Sequence, residues 1–592
     1  MKKISLLVLL AFFAACNKKD GSQSKPEAPA ASAPVTLEAG GETDPDANPE
    51  AVVGGTLNMW GGPGPKTLNA MLDYNFFTKE LFGLMFDGLA GLHPTENRPV
   101  GVVAESWTIS EDGMTYTFKI NPLAKWSDGK PITAEDVQYY YDVIMNPKNL
   151  TSLFRVGLDR FSRPVIVDSL TVSITAKEKH WMNFWEASGL TPLPKHVMEG
   201  KDFNEMNWDF PVVSGAYALE EVKKERSLMV KRRADYWGWG KKINQHKYNF
   251  AHIRWKFMED PLKVLEAFKK GDIDVYPVNR AAIWANQTEF DQVKKGWVGK
   301  QMIFNKSPVS FRGFVFNLRR PAMQDIRLRQ ALAHLANRKQ MNEKLLFNLN
   351  LLINSYFSDL YPGNQNPDRP LIPYDPAKAR QLLAEAGYKP GADGILAKDG
   401  KKLEITISLH NAVDLRPINV YLEDLKAVGI SAKIDQMSWS TWLKRMDTYE
   451  FDMGWAAWGA SRLRDPESMW HGRTADQPSS NNVAGVKDKA VDSLIELQKT
   501  EMDLDKRNAI MKKIDERLID IMPYVLMWDQ DSKWILYWNK FGTARKIYSK
   551  FDDEDCITAY WFVDPAKDKT LQEAMKSGKE LPRPPLEVRY EE

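Results

Sequence analysis

LEITISLHNAVDLRPINVYLEDLKAVGISAKIDQMSWSTWLKRMDTYEFDMGWAAW, residues 403–458, switches repeatedly between two hydrophobic periods. Leu403, Ile405, Ile407 and Leu409 alternate with polar residues, the period of a strand. Ile418, Leu422, Leu425 and Val428 follow at helical spacing, and Gly429 closes that helix. Ile430, Ala432 and Ile434 alternate again, Ser438 to Met446 reads as a helix, and Phe451 to Trp458 reads as a strand. Just upstream, Asp375-Pro376 is an N-cap with proline at the first helical position. Ala379, Leu382, Leu383 and Ala386 mark one face there before Gly387 stops the helix. Strand, helix, strand, helix, strand at this spacing predicts parallel pairing with right-handed crossovers. An open α/β sheet binds ligands beyond the carboxyl ends of its strands. That rule selects two loops, His410 to Arg416 (which contains Asn411) and Trp458 to Asp465.

A different architecture is written at 104–137, AESWTISEDGMTYTFKINPLAKWSDGKPITAEDV. Thr115, Thr117 and Lys119 alternate with Tyr116, Phe118 and Ile120, and the preceding Asp112-Gly113 is a tight-turn signal. Thr133 then caps a helix, with Asp136 placed to complete a capping box, and Val137, Tyr140, Tyr141 and Ile144 follow on one face. This is an α+β unit, a hairpin followed by a helix.

The amino terminus carries a different message. Lys2 and Lys3 precede an apolar run, Ile4 to Ala15, interrupted only by Ser5 and ending in Ala14-Ala15-Cys16. The run is too short to span a bilayer, which takes roughly 20 apolar residues, and reads as a processed export signal. Residues 17–50 are rich in Ala, Pro, Glu, Asp and Ser and predict a tether. The 592 residues are 43% hydrophobic, enough for two or three lobes with their own cores. Cys16 and Cys556 are the only cysteines, so no disulfide framework is expected. Lys and Arg number 80 against 78 Asp and Glu, without the basic footprint of a nucleic-acid binder.

Catalytic motifs are missing. There is no His-Glu-x-x-His, Cys-x-x-Cys, Gly-x-Ser-x-Gly or phosphate-cradling glycine loop. The eight histidines are scattered, and the closest pair, His246 and His252, matches no common metal-ligand spacing. No metal, cofactor or catalytic residue is expected. A pair of carboxylates acting on cell-wall fragments or glycans is the competing enzyme reading.

The segment 104–137 resembles the signature of family 5 extracellular solute-binding proteins, the peptide-binding components of bacterial ABC importers. FVFNLRRPAMQDIRLRQALAHLANRKQM (314–341), DPAKARQLLAEAGY (375–388) and NNVAGVKDKAVDSLIE (481–496) are similar to further landmarks of that family, in family order. The form at 316–321 resembles the branch handling oligopeptides and microcin-type conjugates. Ala14-Ala15-Cys16 resembles a lipobox, which would place a lipid on Cys16; the alternative is a secretory signal with an incidental cysteine. On either reading the mature chain is exported, to a periplasmic or extracellular location.

The resemblance implies a type II periplasmic-binding-protein-like fold, α/β and α+β, with two main lobes joined by a hinge and an inserted third lobe. It divides the chain into a signal (1–16), a tether (17–50), lobe I (51–93, 186–304 and 527–592, with the C-terminal tail), lobe II (94–185) and lobe III (305–526). It implies a monomer that holds a peptide, a peptide-like conjugate or another solute between lobes I and III and meets an ABC permease. Many members carry Gly-Ala-Asp after the strand ending in Trp, the Asp pairing with the ligand's α-ammonium. Here Trp458-Gly459-Ala460-Ser461 stands in that place, so Ser461 replaces the carboxylate unless Asp465 substitutes. Arg462 and Arg464 add positive charge to the same loop, and Arg416 lies where basic residues meet the ligand's C-terminal region. Trp458 is expected to line the cleft because it ends a strand, while Trp455 fits cleft or core equally. Arg319 and Arg320 read as structural.

Overall fold

Glu404–His410 pairs in parallel with Ser431–Met437 on one side and Met453–Trp458 on the other. The helices Leu415–Ala427 and Trp439–Asp447 make the two crossovers, as their periodicity predicts. The sheet continues through Phe311–Phe316 and Tyr524–Leu526, both joined antiparallel. The computed structural model describes residues 41–590 apart from 479 and 552–554. Cys16, the export signal and residues 17–40 of the expected tether lie outside the described residues.

The strand Glu404–His410 is largely buried. Ile405, Ile407 and Leu409, which share one face, are at most 1% exposed, and Ser408 on the other face is also buried. At Gly313 an added Cβ would lie 2.0 Å from the Val525 carbonyl oxygen, so only glycine lets these two backbones approach so closely. The Asp375 carboxylate accepts the Lys378 N–H at 2.8 Å and caps Pro376–Glu385.

The second unit is an antiparallel sheet in the order Ala104–Ile109, Thr115–Ile120, Thr171–Thr175, Val165–Asp168. Tyr116, Phe118 and Ile120 are buried in one hydrophobic cluster with Val137, Tyr141 and Ile144 of the helix Ala134–Met145. Two further four-stranded sheets are assembled from remote pieces of chain. One takes Thr56–Trp60, His252–Lys256, Ser227–Arg232 and Tyr217–Lys223; the other takes Val275–Pro277, Lys533–Trp538, Val298–Phe304 and Glu587–Arg589.

The chain passes between this composite body and the five-stranded sheet at 305–310 and again at 530–532. Asp529 ties the crossings together. Its carboxylate accepts the Ser310 hydroxyl at 2.6 Å and the Gln530 N–H at 2.8 Å, and pairs with the Arg312 guanidinium.

The tether expectation fails for its last residues. Asp44, Asp46 and Ala47 are buried; Asp44 accepts the Lys247 ammonium at 2.9 Å and the Tyr560 hydroxyl at 2.8 Å. Polar composition hid the packing, because these carboxylates are buried with their partners and not solvated.

The capping box at Thr133 is present, and Asp136 does more than close it. Its carboxylate accepts the Thr133 N–H at 2.9 Å, the Lys195 N–H at 3.1 Å and the Trp126 indole N–H at 3.3 Å. Asp136→Ala opens the capping box and leaves the buried Trp126 indole N–H and the half-buried Thr133 and Lys195 N–H groups without this acceptor, at a cost of about 2–4 kcal/mol. Urea unfolding followed by circular dichroism should show that loss, and a change below about 1 kcal/mol would contradict the role.

Candidate ligand-binding cleft

A cavity of about 1000 Å3 opens between the carboxyl ends of the central strands and the composite body. Every residue from His410 to Arg416 lines it, so the first of the two predicted loops is at the cavity, with Asn411 and Arg416. Trp60, Trp455 and Trp528 supply aromatic surface, Trp455 and Trp528 lying with ring centroids 5.8 Å apart. Trp60 is fixed by its indole N–H, which donates to the Met258 carbonyl at 2.8 Å.

The strand Met453–Trp458 decides which tryptophan reaches the cavity. Side chains alternate faces along a strand, so Trp455 and Ala457 share the cavity side. Trp458 falls on the other face with Ala456, and its indole N–H donates to the Tyr524 hydroxyl at 2.9 Å. The structure therefore places Trp458 away from this cavity: parity along the strand, more than position at its end, decides which side chain faces it.

Charge in the cavity is arranged around Asp414, the N-cap of the helix Leu415–Ala427. Arg416 Nε lies 3.0 and 3.1 Å from the two Asp414 oxygens. Burial alone would raise the Asp414 pKa, but the hydrogen bonds from Arg416 and the fields of Arg416 and Arg280 hold it below the usual carboxylate range. Arg280 comes from the opposite wall, at the start of the helix Ala281–Gln287. Two guanidinium groups thus act on the Asp414 carboxylate, and Glu259 adds a second carboxylate to the cavity lining. Arg312, also at the cavity, is neutralised by Asp529. Arg280, Arg312, Trp60 and Trp528 were not singled out in the sequence, since only tertiary packing brings them to the 410–416 loop.

The second predicted loop goes elsewhere. Ser461 and Arg462 border a smaller cavity of about 320 Å3 with Leu92, Pro94, Lys247 and Tyr560. The Ser461 hydroxyl accepts the Leu463 N–H at 3.1 Å. Arg462 spans to the neighbouring unit, donating to Asn97 Oδ1 and the His93 carbonyl at 3.1 Å each, and stacks over Phe551 at 4.0 Å. Arg464 pairs with Asp359. Asp465 accepts the Glu467 N–H at 3.0 Å and faces Arg160 and His180 at 3.5 Å. The structure thus brings together Asn411, Arg416 and Trp455, and places Trp458, Ser461, Arg462 and Asp465 outside the large cavity. Arg319 donates to the Val483 and Asn482 carbonyls at 2.9 and 3.0 Å.

His180, Asp465 and Glu467 gather ligand atoms within 4.8 Å of one another, a grouping with the composition of a metal site. The hydrogen bonding argues against that use. His180 Nδ1 accepts the Met182 N–H at 2.9 Å, which places the ring proton on Nε2, the nitrogen facing the carboxylates. Arg160 lies 3.2 Å and Lys499 3.4 Å from Glu467, so positive charge is already supplied. The cluster is an ion network between the 160–180 and 465–499 segments.

Residues 98–480 match the family described as bacterial extracellular solute-binding proteins, family 5 middle. The chain belongs to this family. Over 537 residues this solute-binding protein is 27% identical to the probable peptide-binding protein YejA of Agrobacterium fabrum, covering 83% of this chain and 87% of that one. Its fold is shared with the oligopeptide-binding protein AppA of Bacillus subtilis, solved with a nonapeptide. There the TM-score is 0.70 at 21% identity, over 87% of this chain and 100% of that one. NikA of Brucella suis, solved with Fe(III)-EDTA, gives a TM-score of 0.69 at 23% identity, over 83% and 96%. These likenesses confirm the type II architecture expected from the sequence. Among the described residues no helix is long and apolar enough to cross a membrane.

The ion network makes this solute-binding protein's stability depend on pH. Burial pushes the His180 pKa down to about 4 from 6.5, the nearby Asp465 opposing and Arg160 and Lys499 assisting. The unfolded chain therefore binds a proton below about pH 6.5 that the native state refuses until about pH 4. This stability is complete above pH 6.5 and falls by about 2–3 kcal/mol as pH drops to 4. Unfolding midpoints measured across that window should show a flatter slope in His180→Asn, whose side-chain oxygen keeps the bond from Met182. An unchanged slope would contradict the assignment.

Proposed function

We propose that this solute-binding protein captures an oligopeptide or peptide-like conjugate in the 1000 Å3 cavity and hands it, chemically unchanged, to the permease of an ABC importer. The cavity carries the reading. Its volume stands at the top of the roughly 300–1,000 Å3 range of small-molecule sites, and it combines aromatic surface with the two arginines Arg280 and Arg416. Roomy, hydrated pockets of this kind accept varied side chains while polar groups fix orientation. The peptide named for YejA, and the nonapeptide held by AppA on the same fold, support peptide over other solutes.

In this reading Trp455 and Asn411 contact the ligand, and Arg416 and Arg280 share its carboxylate through charge-assisted hydrogen bonds. Arg462 and Asp465 hold neighbouring segments together instead. We assign 94–185 to the inserted lobe, 305–526 to the α/β lobe, and the remaining body to lobe I. The protein acts as a monomer without metal, cofactor or nucleic acid, anchored through lipid on Cys16 to the periplasmic or extracellular face of a membrane.

Titration calorimetry with a peptide library tests this. Arg416→Ala and Arg280→Ala should each weaken free-acid peptides about tenfold, close to 1.4 kcal/mol, and leave C-terminal amides within about twofold. Equal losses for acid and amide would remove the arginines from carboxylate recognition. A wild-type protein that binds no peptide overturns the reading.

A further inference from the structure

The large cavity holds an acidic side chain that the protein leaves without a partner. Of the charged residues lining it, Arg312 is neutralised by Asp529 and Arg416 by Asp414. Glu259 and Arg280 remain, both exposed. Among the described residues neither side chain makes a hydrogen bond or an ion pair, with the other or with any third group. The backbone that carries Glu259 is nonetheless fixed on both sides. Before it, the Met258 N–H donates to the Gly62 carbonyl at 2.8 Å, and the Met258 carbonyl accepts the Trp60 indole N–H at 2.8 Å. After it, the Asp260 carboxylate accepts the Leu262 N–H at 2.9 Å and caps the helix Pro261–Lys269, so that neighbouring carboxylate is already engaged. Trp60 is half-buried and meets Tyr276 edge-on at 6.4 Å. These contacts hold a free carboxylate and an indole on the same stretch of cavity wall.

We propose that Glu259, with Trp60 near it, forms an ammonium subsite that takes a positively charged amine of the bound ligand, the α-ammonium of a peptide or the side-chain ammonium of a lysine. The inference rests on the peptide-capture reading above and adds the opposite charge to the carboxylate contact given there to Arg280 and Arg416. The chemistry of the two groups is the reason. A carboxylate accepts charge-assisted hydrogen bonds from an ammonium, and an indole attracts a cation to the face of its ring. On an open surface such a pair is worth little, because water and salt screen it. In the cavity, the ligand itself displaces that water. Asp414 is not available for the task, because Arg416 already engages both of its oxygens. Ser461 and Asp465, the positions at which the sequence pointed to an ammonium partner, lie outside this cavity.

The test is titration calorimetry of the full chain with nonapeptides that all end in a free carboxylate. They carry a free or an acetylated N-terminus, and lysine or uncharged norleucine at each position in turn. Wild type should bind an amine-bearing member about tenfold more tightly than its uncharged counterpart, and the advantage should shrink as salt is raised. Glu259→Gln keeps the shape of an exposed side chain and should fold as wild type does. It should abolish the advantage and leave acetylated, lysine-free peptides within about twofold. Loss of the preference for a free over an acetylated N-terminus assigns the subsite to the α-ammonium; loss of the preference for lysine over norleucine assigns it to a side chain. The subsite is overturned if wild type shows neither preference, if Glu259→Gln leaves the preference intact, or if it weakens charged and uncharged peptides alike. Failure of wild type to bind any peptide in the series would instead fell the peptide-capture reading, and the subsite with it.

Discussion

Glu404–His410 hydrogen-bonds in parallel to strands on both sides, and the place of the cavity follows from that arrangement. Parallel neighbours must be joined by crossovers, so the helices Leu415–Ala427 and Trp439–Asp447 occupy the faces and the loops leave from the carboxyl edge. The 410–416 loop has nowhere to go but the crevice facing the composite body. The same geometry sends Trp455 toward the cavity and Trp458 away from it. Asp529 holds the two chain crossings side by side through Ser310 and Arg312.

Charge in this protein is mostly spent on itself. Arg462, Arg464, Asp465 and His180 lie in contacts between segments remote in sequence, where partial burial makes each pairing stronger and each orphan costlier. Such networks stabilise less than their number suggests, because desolvation offsets much of the attraction. What they do supply is registry: Arg462 fits the His93–Asn97 turn and Phe551 together, and no apolar residue could satisfy those carbonyls. At the cavity, Arg280 and Arg416 both act on the carboxylate of Asp414, and Glu259 supplies a second acidic group to the lining.

Local order was legible and long-range order was not. The strand at 403–410, the caps at Thr133 and Asp375 and the stop at Gly387 are set by neighbours within one turn, and periodicity reports them directly. The family landmarks supplied the lobed architecture and the choice of the 410–416 loop came from the parallel sheet. Position along the chain puts Ser461 and Arg462 beside the cleft, while contacts to residues more than 360 positions away tie Arg462 to the His93–Asn97 turn. Trp60, Arg280 and Trp528 carry no local mark of function and become neighbours of the 410–416 loop only in the folded chain. Asp44 was hidden for the opposite reason: a polar stretch was read as solvated, and its partner Lys247 lies 203 residues on.

The claim at the centre of this account is that the cavity carries a peptide and does not alter it. Native mass spectrometry of the protein recovered in its exported, folded form, followed by sequencing of whatever dissociates on unfolding, addresses it most directly. The account predicts a one-to-one adduct that yields peptide-containing molecules, which rebind and are recovered at unchanged mass after incubation with fresh protein. A tightly held ligand without peptide bonds, or fragments of reduced mass after that incubation, would contradict it.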